Sequence, residues 1–213
     1  MRTALTVVTC LALATTAHAG NELSIGSTDR ALRSPSADAV TGDSYTGGQL
    51  GVAHDLHLAI PGLSLWATGG LQWGGAKGSL FDLATDLSQS SYLVGGRARY
   101  AILPHIDATA HLQVGVAHTS LALTDSMSRE VSDAGWGGIA EGAVGIELLA
   151  VQQPSFTFGL RLELGYVAAA PVTLAAKSQH PDDGTLRLQM TQASLGRLDL
   201  SGPVAGLAAV SRF

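Results

Sequence analysis

An imidazole and a hydroxyl stand two residues apart in His118-Thr119-Ser120. A histidine that takes the proton of a nearby serine makes a nucleophile, provided a third group such as Glu130 orients the ring. Along an extended chain both side chains fall on one face. That pairing is the one nucleophile-and-base candidate in the chain. His54, His57, His105, His111 and His180 lack the clustered spacing of metal ligands. Residues 178–184, "SQHPDDG", offer a weak cation site, but turn chemistry accounts equally well for Pro181, Asp182 and Gly184. The glycines of "GLQWGGAKG" precede no helix, so they do not form a phosphate-binding loop. No cofactor is expected.

A second set of ionisable residues is ordered rather than clustered. In "SFTFGLRLELGY", residues 155–166, Phe156, Phe158, Leu160, Leu162, Leu164 and Tyr166 alternate with Thr157, Gly159, Arg161, Glu163 and Gly165. Period-two alternation predicts a strand with one apolar and one polar face. The same pattern places Arg97, Arg99, His111, Glu141 and Glu147 on polar faces in mid-strand. Ion pairs and hydrogen bonds among such groups predict a filled, charged interior that includes Arg161 and Glu163. The turns suggest Arg97 opposite His111, Arg99 opposite Thr109 and Glu141 opposite Arg161.

The elements that must position these residues are strands. "ELSIGS", "TGGQLGVAHDLHL", "LSLWATGGLQWGG", "SYLVGGRARYAI", "IDATAHLQVGVAHTS", "GWGGIAEGAVGIEL", the 155–166 stretch and "VAGLAAVSRF" make eight, with no convincing amphipathic helix. Short proline-containing turns, "IPG", "LPH" and "VQQPS", join strands two to three, four to five and six to seven. The other connections are long: 29–44, 76–90, 123–134 and 168–199. The last contains alternating pieces, "TLRLQM" and "LGRLDL", read as a hairpin beyond the barrel, with two extra barrel strands as the alternative.

The ends bound location. Arg2, the apolar run Ala4–Ala14 and Ala17-His18-Ala19 fit a secretory signal peptide, residues 1–19, cleaved to leave one domain over 20–213. Cys10, the single cysteine, lies within it, so the mature chain has no disulfide. The formal net charge of −5 becomes −6 once Arg2 leaves, and no basic run exists, which argues against nucleic acid as a partner.

Alternation does not by itself say which face meets water. A soluble lipocalin-like barrel with an apolar interior has the same period. Aromatic residues favour an outward apolar face. Tyr45, Trp73, Tyr92, Trp136 and Tyr166 fall near the long connections, and Tyr100, Phe156, Phe158 and Phe213 near the short turns. The eight residues between Tyr92 and Tyr100 span about 26 Å at ~3.3 Å each, compatible with two interfacial girdles. Trp66 departs from this arrangement, because its parity is that of the polar face.

Signal peptide, eight alternating strands, short turns opposed to long loops and the terminal Phe213 together resemble the small outer-membrane barrels of the OmpA transmembrane-domain, OmpX and OmpW kind. The resemblance implies an all-β, eight-stranded antiparallel up-and-down transmembrane barrel with short periplasmic turns and long extracellular loops. It implies contact with outer-membrane lipid and lipopolysaccharide, and recognition of the C-terminal strand by the barrel-assembly machinery. The expected role is non-enzymatic: structural, or interaction through the four loops. A narrow channel, a lipid-modifying enzyme and a soluble exported ligand-binding barrel are the alternatives. His118 and Ser120 resemble the His-x-Ser motif of outer-membrane lipid A 3-O-deacylase, but Leu121 stands where that family carries Asn.

Overall fold

The computed structural model describes residues 20–32, 44–57, 60–80, 83–124, 130–178 and 193–213. Ten strands form: β1 Asn21–Ala31, β2 Ser44–Asp55, β3 Leu63–Leu80, β4 Leu83–Leu103, β5 Ile106–Thr124, β6 Glu130–Gln153, β7 Phe156–Ala169, β8 Val172–Ser178, β9 Ala193–Leu198 and β10 Gly202–Arg212. Eight of them close a ring. Antiparallel neighbours run from β1 through β7, β10 follows β7, and β10 pairs back onto β1. The ring is sealed at the last residue: the Phe213 amide donates to the Asn21 carbonyl at 3.1 Å, and the Phe213 carbonyl accepts from the Gly20 and Asn21 amides. Closure leaves no unpaired edge along the wall, the condition for a sheet to exist in hydrocarbon.

Alternation resolves into an inverted interior. Leu112, Val114, Val144, Leu160, Leu162 and Leu164 stand on the outside, Leu164 being 67% exposed. Inside lie Arg161 at 1% exposure, Glu147 at 0% and Thr119 at 0%. A continuous apolar belt of this extent on a water-facing surface is an association surface. Wrapped around a polar interior, it is a lipid-facing wall. The soluble alternative requires the reverse arrangement.

Much of the chain expected as loop is paired strand. Residues 76–90 continue the β3–β4 ladder to the pair Leu80–Leu83, and 123–134 continue β5–β6 to the pair Thr124–Glu130. β1 reaches Ala31 and β2 starts at Ser44, shortening 29–44 from both sides. Beyond the apolar belt both strand faces can carry polar residues, so alternation fades while the hydrogen-bond ladder continues. The rest of 29–44 and of 123–134, with residues 1–19, 58–59, 81–82 and 179–192, lies outside the described residues.

After Ala169 the chain leaves the wall. The Ala170 amide donates to the Gly138 carbonyl at 2.8 Å, and β8 then pairs briefly with β6 at Val131–Ser178 and Ser132–Lys177. β8 lies over Gly135 and Gly137. A Cβ at Gly135 would stand 2.6 Å from a Val172 methyl, so the absent side chain is what lets the strand cross there. Together β8 and β9 form a hairpin outside the ring. The partner of β9 is β8, whereas "TLRLQM" lies outside the described residues. Val172, Leu174, Leu198 and Leu200 pack with Leu32, Tyr45, Ala76, Leu87 and Leu121 as an apolar cap across the mouth.

Candidate functional site

The lumen is the candidate site, and its charges arrive by strand register. The turn at Pro104–His105 joins β4 to β5 so that Arg97 faces His111 and Arg99 faces Thr109, as the sequence suggests. Across β6 and β7 the expected pair is corrected. Glu141 lies opposite Val167, and Arg161 lies opposite Glu147. The Pro154–Ser155 turn is only two residues long, and a bulge between Leu149 and Val151 shifts the register by one. Both facts slide Glu147 to the height of Arg161.

Side chains from opposite walls then meet in a single network. Glu22 accepts from three arginines: Arg97 at 2.5 Å, Arg161 at 3.0 and 3.1 Å, and Arg212 at 3.0 Å. Glu147 pairs with Arg212 and lies 4.0 Å from Arg161. His111 bridges two carboxylates, Glu163 at 3.0 Å from Nδ1 and Glu141 at 3.3 Å from Nε2. Gln72 donates to Glu141 at 2.7 Å and Gln113 donates to Thr68 at 2.9 Å. Buried charges persist only when paired and hydrogen-bonded. Here Glu22, Glu141, Glu147 and Glu163 each accept from at least one cationic or amide donor, although the second oxygen of Glu147 has no hydrogen-bond partner.

The sequence reading missed Glu22, Arg212 and Asp107. Glu22 has the parity of Ser24 and Thr28, opposite to Leu23 and Ile25; that signal was present, but its arginine partners come from β4, β7 and β10 and so do not appear in any local spacing. Arg212 shares the inward parity of Ala208 and Val210, whose apolar side chains give no sign of a polar face on that strand. Trp66, which broke the aromatic pattern, is a lumen residue at 4% exposure with Arg99 and Arg212 guanidinium carbons 5.4 and 5.7 Å from its ring. Its indole N–H donates to Ser64 at 3.0 Å.

The lumen is closed at several heights. Within the charged layer lies a void of about 30 Å³, bordered by Ser24, Gln72, Arg97, His111, Glu141 and Arg161. That is room for about one water molecule. Above it Leu93, Ala117, Ile139, Val167 and Val204 form an apolar layer. Higher still Arg30 donates to Gln89 and to the Leu200 carbonyl, both at 3.2 Å, beneath the cap.

Trp73, Tyr92, Tyr100, Trp136, Phe156, Phe158 and Tyr166 all stand on the outer face, exposed. Tyr92 stacks with Trp136 at 6.4 Å. Tyr45 is a correction: it is buried inside the mouth, its hydroxyl donating to the Gln89 carbonyl and Arg30 lying 5.0 Å above its ring. Its odd position in β2 shares the inward parity, opposite to Leu50 and Val52.

The elements of a nucleophile pair do not assemble. The His118 ring packs on Trp136 at 4.9 Å, and the Ser120 hydroxyl shares a hydrogen bond with Ser88 at 3.2 Å. His118 is level with Trp136, six residues from Glu130 along β6. At ~3.3 Å per residue that is about 20 Å, beyond the reach of an orienting carboxylate. Among the described residues no group of three His, Cys, Asp or Glu side chains is placed to hold a metal ion.

No protein-family model matches the chain, and no curated relative matches it by sequence. Solved structures do match. The outer membrane protease OmpT from Escherichia coli aligns with a TM-score of 0.52 at 9% identity, over 93% of this chain and 98% of that one. Neisserial surface protein A aligns at 0.48 with 11% identity, covering 91% and 96%. Ail, the attachment invasion locus protein of Yersinia pestis, aligns at 0.46 with 11% identity, covering 92% and 98%. At such identities the likeness concerns the fold alone, a closed antiparallel β-barrel.

Proposed function

We propose that this chain is a non-enzymatic outer-membrane β-barrel of a Gram-negative bacterium, exported by the signal segment 1–19, with a structural or surface-interaction role. The observation that carries the reading is the inversion of the wall: an outward apolar belt with exposed girdle aromatics around a packed, charge-paired lumen. Lipid and lipopolysaccharide contact the belt, and Phe213 ends the strand offered to the assembly machinery. Partner binding resides in the connections at the end opposite the short turns, since specificity on such scaffolds belongs to loops. The interior supports a plug rather than a channel, because a hydrogen-bonded charged layer and an apolar layer follow one another across the lumen.

Fractionation of inner and outer membranes, followed by gel mobility of boiled and unboiled samples, tests location and fold together. The reading predicts outer-membrane sedimentation and a heat-modifiable band. Recovery as a soluble periplasmic protein would overturn it. For the non-enzymatic part, mass spectra of lipid A from cells with wild-type protein and with Ser120→Ala are expected to be identical; an acyl pattern that depends on Ser120 would reinstate an enzyme.

A further inference from the structure

The end of the barrel bearing the short turns is hollow. An open recess of about 670 Å³ lies there, bordered by Arg99, Asp107, Arg212, Ile102, Leu149 and Gln152 among others. This is the size range of small-molecule sites, and its lining is mixed, polar and apolar groups contributing about equally. The Gln152 amide donates to the Pro104 carbonyl at 2.6 Å, which ties the β6–β7 turn to the β4–β5 turn and fixes the rim.

Arg99 differs from the other arginines of the charged layer. Arg97, Arg161 and Arg212 each donate to the Glu22 carboxylate at 3.1 Å or less. Arg99 donates from Nε to the Ser64 hydroxyl at 3.2 Å, and its closest carboxylate oxygen, on Asp107, lies 3.6 Å from that same Nε. Its two terminal nitrogens have no hydrogen-bond partner among the described residues. The side chain is about a quarter exposed, and the Trp66 ring lies 5.4 Å from its guanidinium carbon. A guanidinium anchored through Nε and braced by an aromatic face keeps a planar fork that matches a carboxylate bidentately.

We propose that this recess is a binding site for a carboxylate, held by the Arg99 fork and flanked by the apolar side chains of the two turns. The sources of that chemistry are the C-terminus of a peptide and a small free organic acid. Arg212 does not compete for the role, since Glu22 and Glu147 already occupy it. In the orientation proposed above the recess opens to the periplasm, but the site itself does not depend on that orientation.

The test uses the whole mature barrel in detergent micelles, with its heat-shifted gel band as proof of folding. Binding of N-acetyl-alanyl-alanine, of its C-terminal amide and of propionate is followed by calorimetry or by arginine Nε resonances. The acid is expected to bind at least tenfold more tightly than the amide, and Arg99→Gln to remove that preference. Ala101 also lines the recess, so Ala101→Trp fills it while leaving the Arg99 side chain in place and is expected to weaken the acid at least tenfold. Propionate matching the dipeptide identifies a small acid, and a stronger dipeptide identifies a peptide terminus. Equal binding of acid and amide by the wild-type barrel, or undiminished binding in folded Ala101→Trp, overturns the proposal.

Discussion

Replacing Glu22 with Gln tests the charged layer at its centre. The substitution keeps the side-chain shape and removes the one carboxylate shared by Arg97, Arg161 and Arg212. The three arginines do not suffer equally. Arg212 retains Glu147, and Arg161 retains Glu163 at 3.7 Å and Glu147 at 4.0 Å. Arg97 has Glu22 as its single ion-pair partner among the described residues, and its guanidinium is largely buried. The loss is therefore dominated by one stranded buried cation, for which breaking a buried pair costs about 3–5 kcal/mol. Urea unfolding of the barrel in lipid vesicles, read by tryptophan emission and by gel mobility, measures it. With a slope near ~2 kcal/mol per molar, the midpoint falls by roughly 1.5–2.5 M. Adding Arg97→Met removes the stranded charge, so the double variant should recover about 1–3 kcal/mol relative to the sum of the two single losses. A midpoint unmoved by Glu22→Gln, or two strictly additive losses, would refute the reasoning.

Three further outcomes follow from the same geometry. Leu112, 65% exposed, pairs midway between the partners of Tyr92 and Tyr100, so Leu112→Arg should destabilise the barrel in vesicles by about 2–4 kcal/mol, read as a lower urea midpoint. Gly135→Val should push against Val172 and lift β8, seen as faster proteolysis between Ala170 and Leu200 while the heat-shifted band persists. In planar bilayers the purified wild-type protein should produce no regular conductance steps, because charged and apolar layers fill the lumen in succession; steady unit currents would contradict the plug.

The outer wall was legible because hydrocarbon imposes one rule on every outward position. Parity puts Leu160, Leu162 and Leu164 on one face, and the aromatic residues at the strand ends turn that face outward. Pairing across a tight turn was also legible, as Arg97 with His111 shows. Register failed where a bulge intervened: Arg161 belongs with Glu147, and nothing in the local spacing announces the extra residue near Ala150. The three-arginine cluster on Glu22 was invisible for a different reason. Its members come from β1, β4, β7 and β10, and only ring closure brings them together. Trp66 was legible as an anomaly and not as a lumen residue. The strand character of 76–80 and 83–90 is not legible in the sequence, because the pattern that marks a strand in lipid is absent from a strand in water.

The central claim is the inversion of the wall, and tryptophan contact with lipid reports it directly. Single-tryptophan variants keeping Trp136 or Trp66, the others replaced by Phe, are reconstituted in vesicles of ordinary or brominated lipid. The structure places Trp136 on the outer face at 62% exposure and Trp66 in the lumen at 4%. Trp136 emission is predicted to be strongly quenched by brominated chains, with Trp66 emission nearly unchanged. Quenching of Trp66 with Trp136 spared would mean that the apolar face points inward, and the account of this protein as a lipid-facing barrel would be wrong.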